Sequence, residues 1–367
     1  MSIADQNNLK YLVSLANFQK FGPVRLKKIK KYFKNYYDAY YSHSEEYVKA
    51  GIEENIAKEF IVTRTKIIPD QLMEWLAKEK IDILTIDHPD YPKLLSEIYD
   101  PPQLLYYRGI IKKDEFALAV VGSRKITSYG ERVVERMVSG IAENKITVVS
   151  GLALGVDSLA HNITIKTGGR TVAVIGSGLD RQSIYPSANR FLADKIVESG
   201  GAVISEFPLG APPLRHHFPQ RNRIISGLSL GTLVVEAGEK SGALITAQCA
   251  MEQGREVFAV PGNIFSPASA GPNNLIKQGA KPVTAVEDIF EFLDLKQINN
   301  FIKNREIAPE TSEEKILIAN LNHEPTFIND LVRSTGLDIN KINSTLTIME
   351  MKGMVRNVGN MQYVLNK

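Results

Sequence analysis

Six short apolar runs, separated by helix-length segments, constrain this 367-residue chain more than any other feature. They occupy residues 116–122 (FALAVVG), 146–149, 171–175, 202–204, 231–235 and 257–260. Each has the length of a strand and is apolar enough to be covered on both faces. Strands alternating with helices in this way build a parallel, doubly wound sheet. Such sheets hold ligands outside the carboxyl ends of their strands. Here those ends carry small and polar residues. Gly122-Ser123-Arg124 follows the first run, and Ser150-Gly151 leads through Gly155 to Asp157 after the second. Gly176-Ser177-Gly178 follows the third, Ser205-Glu206 the fourth and Glu236 the fifth. Glycine admits close backbone approach, consecutive N–H groups converge on an anion, and the next helix adds partial positive charge.

Between Glu206 and Glu236 no acidic residue occurs, whereas Arg215, His216, His217, Arg221 and Arg223 all do. A locally cationic, glycine-punctuated segment at a sheet edge suits phosphate. The commonest nucleotide fingerprints are absent. Gly122-Ser123-Arg124 does not continue as G-x-G-x-x-G, and Arg181 stands where Gly176-x-Gly178 would need its third glycine. No G-x-x-x-x-G-K-[ST] occurs either. Asp157 and His161 share a helix face and could be an acid–base pair. The expected arrangement is Asp157 on the helix end or the loop amides, with His161 packed behind it. Glu206 and Glu236 are expected to hold arginines rather than act as bases. His216-His217 lacks a third ligand nearby, so no metal site is expected, and no cofactor. Cys249 is the only cysteine; it is expected as a small buried helix residue, outside any disulfide framework.

The flanks differ from the sheet region. Residues 1–77 read as helices, with Leu9, Leu12, Leu15 and Ala16 on one stripe and a break at Phe21-Gly22-Pro23. This is the outline of a helix-hairpin-helix or SAM-like module. Seven basic residues lie between Lys20 and Lys34 without an acid; they are either phosphate contacts or a solvated face. Residues 78–296 form the sheet domain, entered through strands at 81–86 and 104–109. Residues 297–311 read as a linker. Residues 312–367 show three helices, the first capped by Thr311 or Ser312, and a two-stranded ribbon turning at Gly359-Asn360. That is a winged helix. Its third helix, Asn340 to Lys352, offers only Lys341 and Lys352 beside Glu350. This is thin for groove reading, so a protein-contact or accessory role is expected. The fold class is therefore α/β, a Rossmann-like sheet between a helical front and a winged-helix tail.

Charge is balanced along the chain: 15 basic against 15 acidic residues over 1–100, 20 against 18 over 101–295, and 8 against 8 over 297–367. Any nucleic-acid site must then be a patch made by folding. Residues 1–6 are polar and no apolar run reaches membrane length, so a cytoplasmic protein with no membrane contact is expected.

Taken in order, GSR at 122–124, SGLALGVDSLAH at 150–161, TVAVIGSGLDRQSIYP at 171–186, ISEFPLG at 204–210, FPQRNRIISGLS at 218–229, VVEAGEKSGALITAQCA at 234–250 and VPG at 260–262 resemble the DNA-processing protein A (Smf) family. The likeness spans roughly residues 85–295, and the three-part build is similar too. It implies a single-stranded-DNA binder that forms homodimers and loads the RecA recombinase in natural transformation. The family's motif arginine falls on Arg124, its RNR motif on Arg221, Asn222 and Arg223, and its SG-LIT loop on Ser241, Gly242 and Thr246. These would border a phosphate pocket, with Tyr129, Tyr185, Phe207 and Phe218 as stacking or packing aromatics. Two other classes stay open: a nucleotide-binding or nucleotide-processing enzyme, with Glu236 as its carboxylate, and a winged-helix regulator.

Overall fold

The computed structural model describes residues 3–293, 311–321, 325–351, 354–359 and 361–365. The expected linker over 297–311 lies outside the described residues except for Thr311, as do Lys352, Gly353 and Asn360. The chain forms two compact units, Met1–Leu293 and Asp294–Lys367.

The first unit opens with six helices among the described residues: α1 (Ile3–Asn17), α2 (Pro23–Tyr32), α3 (Tyr36–Tyr41), α4 (Ser44–Lys49), α5 (Glu54–Arg64) and α6 (Pro69–Lys78). Pro23 starts α2 because its missing N–H would be unpaired there in any case. The core of this region is aromatic. The ring of Phe60 lies 4.7 Å from Phe21, 5.3 Å from Tyr47 and 5.5 Å from Phe18. Four of the seven basic residues in the hairpin are already engaged. Lys20 pairs with Glu59, Arg25 with Glu53 and Lys30 with Asp87, while Lys28 donates to the Gly51 carbonyl. Lys27, Lys31 and Lys34 point to solvent.

The chain then enters the sheet through β1 (Asp82–Thr85), a short helix α7 (Lys93–Ser96) and β2 (Leu104–Gly109). Next come β3 (Ala117–Val121), α8 (Ser128–Glu143), β4 (Thr147–Ser150), α9 (Val156–Lys166), β5 (Thr171–Ile175), α10 (Arg190–Glu198) and β6 (Ala202–Ser205). After them follow α11 (His217–Gly227), β7 (Gly231–Val234), α12 (Gly242–Glu252), β8 (Glu256–Ala259), α13 (Ala270–Lys277), β9 (Lys281–Pro282) and α14 (Val286–Phe292). Among the described residues the strand order is β1-β2-β6-β5-β4-β3-β7-β8-β9. Strands β3 to β9 run parallel, whereas β2 pairs antiparallel with both β1 and β6. The parallel, doubly wound expectation therefore holds for the centre, and an antiparallel pair extends one edge.

Successive residues face opposite layers. Ala117, Ala119, Val121, Val172 and Val174 pack with Ile224 and Ile225 of α11 and Ala243 and Ala247 of α12. Ala173, Ile175 and Val203 pack with Leu192 and Ile196 of α10 and with the aromatic core of α1–α6. The helical front and the sheet thus share one core. The chain runs β3 to β6 toward one edge and β7 to β9 toward the other, so the topological switch falls between β3 and β7.

The second unit holds α15 (Ser312–Asn320), β10 (Thr326–Phe327), α16 (Ile328–Thr335), α17 (Ile339–Met351), β11 (Val355–Gly359) and β12 (Gln362–Leu365). Thr311 caps α15: its hydroxyl accepts from Glu314 N at 3.2 Å, and the Glu314 carboxylate accepts from Thr311 N at 3.2 Å. Gly336 ends α16 in the left-handed region, at φ 69°. The wing differs from the two-stranded expectation, because the short strand β10 adds to β12. Lys341 on α17 pairs with Glu313 at 2.8 Å.

Replacing Phe60 by Ala should cost about 4 kcal/mol of unfolding free energy in urea titration, since it empties a buried aromatic cluster. Loss confined to helical signal from residues 1–78, with the sheet intact, would contradict the shared core.

Candidate functional site

At the switch point a cleft of about 460 Å³ opens beyond the carboxyl ends of β3 and β7. Gly122, Ser123, Arg124 and Lys125 supply one wall; Phe218, Arg221 and Asn222 of α11 supply the back; Lys240, Ser241, Gly242 and Thr246 supply the other wall. Asp157 reaches it from α9. Ser241 caps α12 by accepting from Ala243 N at 3.3 Å, which brings the positive amino end of that helix to the cleft. Asn222 Nδ2 donates to the Gly242 carbonyl at 3.1 Å and ties α11 to α12.

Arg124 is exposed, and its guanidinium stands 5.4 Å from the centre of the Phe218 ring. A cation on an aromatic face is positioned without using its N–H donors. Lys125 and Lys240 are exposed as well, and none of the three has an ion pair among the described residues. Sequence reasoning passed over Lys125 and Lys240. Their signal was position, since each directly adjoins a glycine- and serine-containing motif.

Arg221 behaves differently. It is buried and donates to the carbonyls of Gly151, at 2.6 Å, and of Val174. Asp157 beside it accepts from Gly151 N at 3.2 Å and Ala153 N at 3.4 Å. Burial pushes the Asp157 carboxyl up, partly offset by Arg221 and the two amides. Burial brings Arg221 down to about 10, against the pull of Asp157. A side chain at Gly151 would strike both groups. Gly155 has φ 77°, and a Cβ there would run into the Ser123 carbonyl, so only glycine lets the loop after β3 rest on the start of α9.

The remaining candidates lie elsewhere. Ser150 is a strut inside the sheet, donating to the Val120 carbonyl at 2.6 Å. Gly176 backs the Phe218 ring, and Gly178 donates to the Ala211 carbonyl at 2.9 Å; neither lines the cleft. Arg223 turns away from it and pairs with Asp100 at 3.0 Å and Glu206 at 2.6 Å. Both Arg223 and Glu206 border a separate space of about 520 Å³ beside α1 and α2. Glu206 therefore holds an arginine as expected. Glu236 does not: it accepts from Thr127 N at 3.0 Å and from the Thr127 hydroxyl, fixing the start of α8. Of the aromatics, Phe218 lines the cleft, and the Tyr185 ring lies 6.0 Å from the Phe218 ring. Phe207 stacks on His217 at 4.0 Å, and Tyr129 donates to the Pro261 carbonyl.

His161 is fully buried, with Nδ1 2.7 Å from the Thr171 hydroxyl. That hydroxyl donates to the Val148 carbonyl, so it accepts from His161 and the ring carries its proton on Nδ1. Burial, and next Arg221, bring its pKa down to about 3. It is a neutral packing partner.

A family model described as DNA recombination-mediator protein A matches residues 82–294, and one for the DprA winged helix domain matches residues 303–360. The chain belongs to the DNA recombination-mediator protein A family. Protein Smf of Escherichia coli is 39% identical over 314 residues, covering 84% of this chain and 83% of that protein. The crystal structure of DNA processing protein A from Streptococcus pneumoniae superposes with TM-score 0.63 at 37% identity, covering 79% of this chain and 98% of that one. DNA processing protein A from Helicobacter pylori, described for its single-stranded DNA binding mode, gives TM-score 0.52 at 27% identity, covering 61% and 97%. In this member of the family no described helix is long and apolar enough to cross a membrane.

Because the folded pKa of His161 lies below its unfolded value, the unfolded chain takes up the proton first. The contribution is complete above about pH 6.5 and is lost as pH falls toward about 3. Stability measured by denaturant between about pH 6 and pH 4 should fall less steeply in His161→Asn, by about 1.4 kcal/mol per pH unit. Parallel slopes would contradict a neutral buried ring.

Proposed function

We propose that the cleft binds single-stranded DNA through its backbone, with little sequence preference, and does not catalyse a reaction on it. One observation carries this reading: three exposed cations without ion pairs among the described residues, Arg124, Lys125 and Lys240, surround a cleft bordered by a helix amino end. Asp157, the carboxylate among the lining residues, is tied to loop amides and lies beside Arg221. Phosphates would meet Gly122, Ser123, Arg124 and Lys125 on one side and Lys240, Ser241, Gly242 and Thr246 on the other. Asn222 and Arg221 stand behind them, and Phe218 offers a ring for one base. Family membership and the DNA-binding relative from Helicobacter pylori support the same ligand.

The finer assignment rests on the family resemblance. The protein would act as a homodimer in the cytoplasm, hand the bound strand to the RecA recombinase, and serve natural transformation and recombination. The winged helix would meet protein rather than a duplex groove, since Lys341 is already paired with Glu313.

Arg124→Ala should weaken oligo-dT binding about tenfold and lower the slope of log K against log salt by about 0.7, one phosphate contact. Arg223→Ala should lower stability and leave that slope unchanged, because its charge is spent on Asp100 and Glu206. Fluorescence anisotropy over a salt series reads both; parental affinity and slope in Arg124→Ala would reject the cleft. RecA filament growth on strands already covered by a single-strand binder tests the transfer step, and growth no faster with the protein than without it would reject loading.

A further inference from the structure

The unpaired cations do not stop at the cleft. Past Lys125, α8 carries Arg132 and Arg136 four residues apart, on one face and about 6 Å from Cβ to Cβ. Both are exposed, and neither has an ion pair among the described residues, although Glu131 and Glu135 lie on the same helix. Like charges at this spacing repel weakly, so the pair adds nothing to the stability of α8. The two arginines line a groove of about 280 Å³ with Tyr129, Pro261 and Thr284. Tyr129 is half-exposed, and its hydroxyl donates to the Pro261 carbonyl at 2.7 Å, which fixes a flat ring at the lip. The nearby carboxylate of Asp288 accepts from Thr284 N and Ala285 N at 2.7 and 3.0 Å, so its charge is committed to the start of α14.

Four residues past Pro261, Phe265 stands 86% exposed, with its N–H bonded to Asn263 Oδ1 at 2.9 Å. Free cations one helical turn apart, with the presented Tyr129 ring at the lip of their groove, match what a single strand requires. The loop 124–127 joins this groove to the cleft, because Arg124 and Lys125 line one and α8 begins at Ser128.

We propose that this groove is a second segment of the strand path. The strand leaves the cleft over Lys125, passes Tyr129, and sets successive phosphates on Arg132 and Arg136. The proposal rests on the cleft binding single-stranded DNA and lengthens the binding site beyond it.

The test follows affinity for oligo-dT as its length grows from about six to about thirty nucleotides. The Arg132→Ala/Arg136→Ala variant should match the parent on the shortest strands that bind. On long strands it should lose about tenfold in affinity and about 1.4 in salt slope, two phosphate contacts. A Lys66→Ala/Lys195→Ala variant, which removes two exposed charges elsewhere, should follow the parent at every length. Parental behaviour of the arginine variant on long strands overturns the proposal. So does equal loss at all lengths, or the same loss in the lysine control. Arg124→Ala, run beside them, separates the two readings. If it loses short strands while the arginine variant keeps long ones, the cleft stands and the groove falls; if it keeps short strands, the cleft itself is rejected.

Discussion

The buried guanidinium of Arg221 is the interaction on which the carboxyl edge of the sheet depends. From α11 it reaches across the sheet to the carbonyls of Gly151 and Val174, beside the carboxylate of Asp157 that gathers the amides of Gly151 and Ala153. One side chain thereby joins the ends of β4 and β5 to a helix from the other layer. Taking both charges out of water is expensive, and such pairs seldom add much net stability. Their hydrogen bonds tie the loop after β4 and the strand β5 to α9 and α11. Gly151 and Gly155 are the sequence counterpart of that arrangement, because any side chain there would collide with Arg221 and Asp157 or with the Ser123 carbonyl.

This changes the meaning of the Arg221-Asn222-Arg223 run. Written as a string it looks like one cationic clamp. On a helix, residues two apart point about 200° from one another. The structure accordingly sends Arg221 under the cleft and Arg223 to Asp100 and Glu206. Neither charge is free, and the exposed cations at the cleft are Arg124, Lys125 and Lys240. The composition of the motif was legible in the sequence, but its division of labour was not. That division follows from helix phase together with partners more than a hundred residues upstream or as few as seventeen away.

The same contrast runs through the fold. Strands covered on both faces must be apolar throughout, so β3 to β8 were visible as apolar runs. Edge elements carry no such obligation. The Lys281-Pro282 strand β9 and the Thr326-Phe327 strand β10 are short and partly polar, and only their pairing partners reveal them. The antiparallel direction of β2 likewise left no trace in its composition. Buried polar residues were read correctly where chemistry forces a partner, as with Asp157 on loop amides. Glu236 shows the limit, because a threonine 109 residues earlier serves it as well as an arginine would.

A balanced net charge does not argue against a polyanionic ligand. In the first unit several cations are met by carboxylates: Lys10 by Asp70, Arg108 and Arg181 by Asp194, Arg170 by Glu115, and Arg255 by Glu97. Each pairing cancels a local field that would spread attraction over the surface. What remains unneutralised at the carboxyl edge of the sheet is concentrated beside a helix amino end, where field lines are focused. A sequence whose net charge is near zero can therefore still gather unpaired cations at one edge of its sheet.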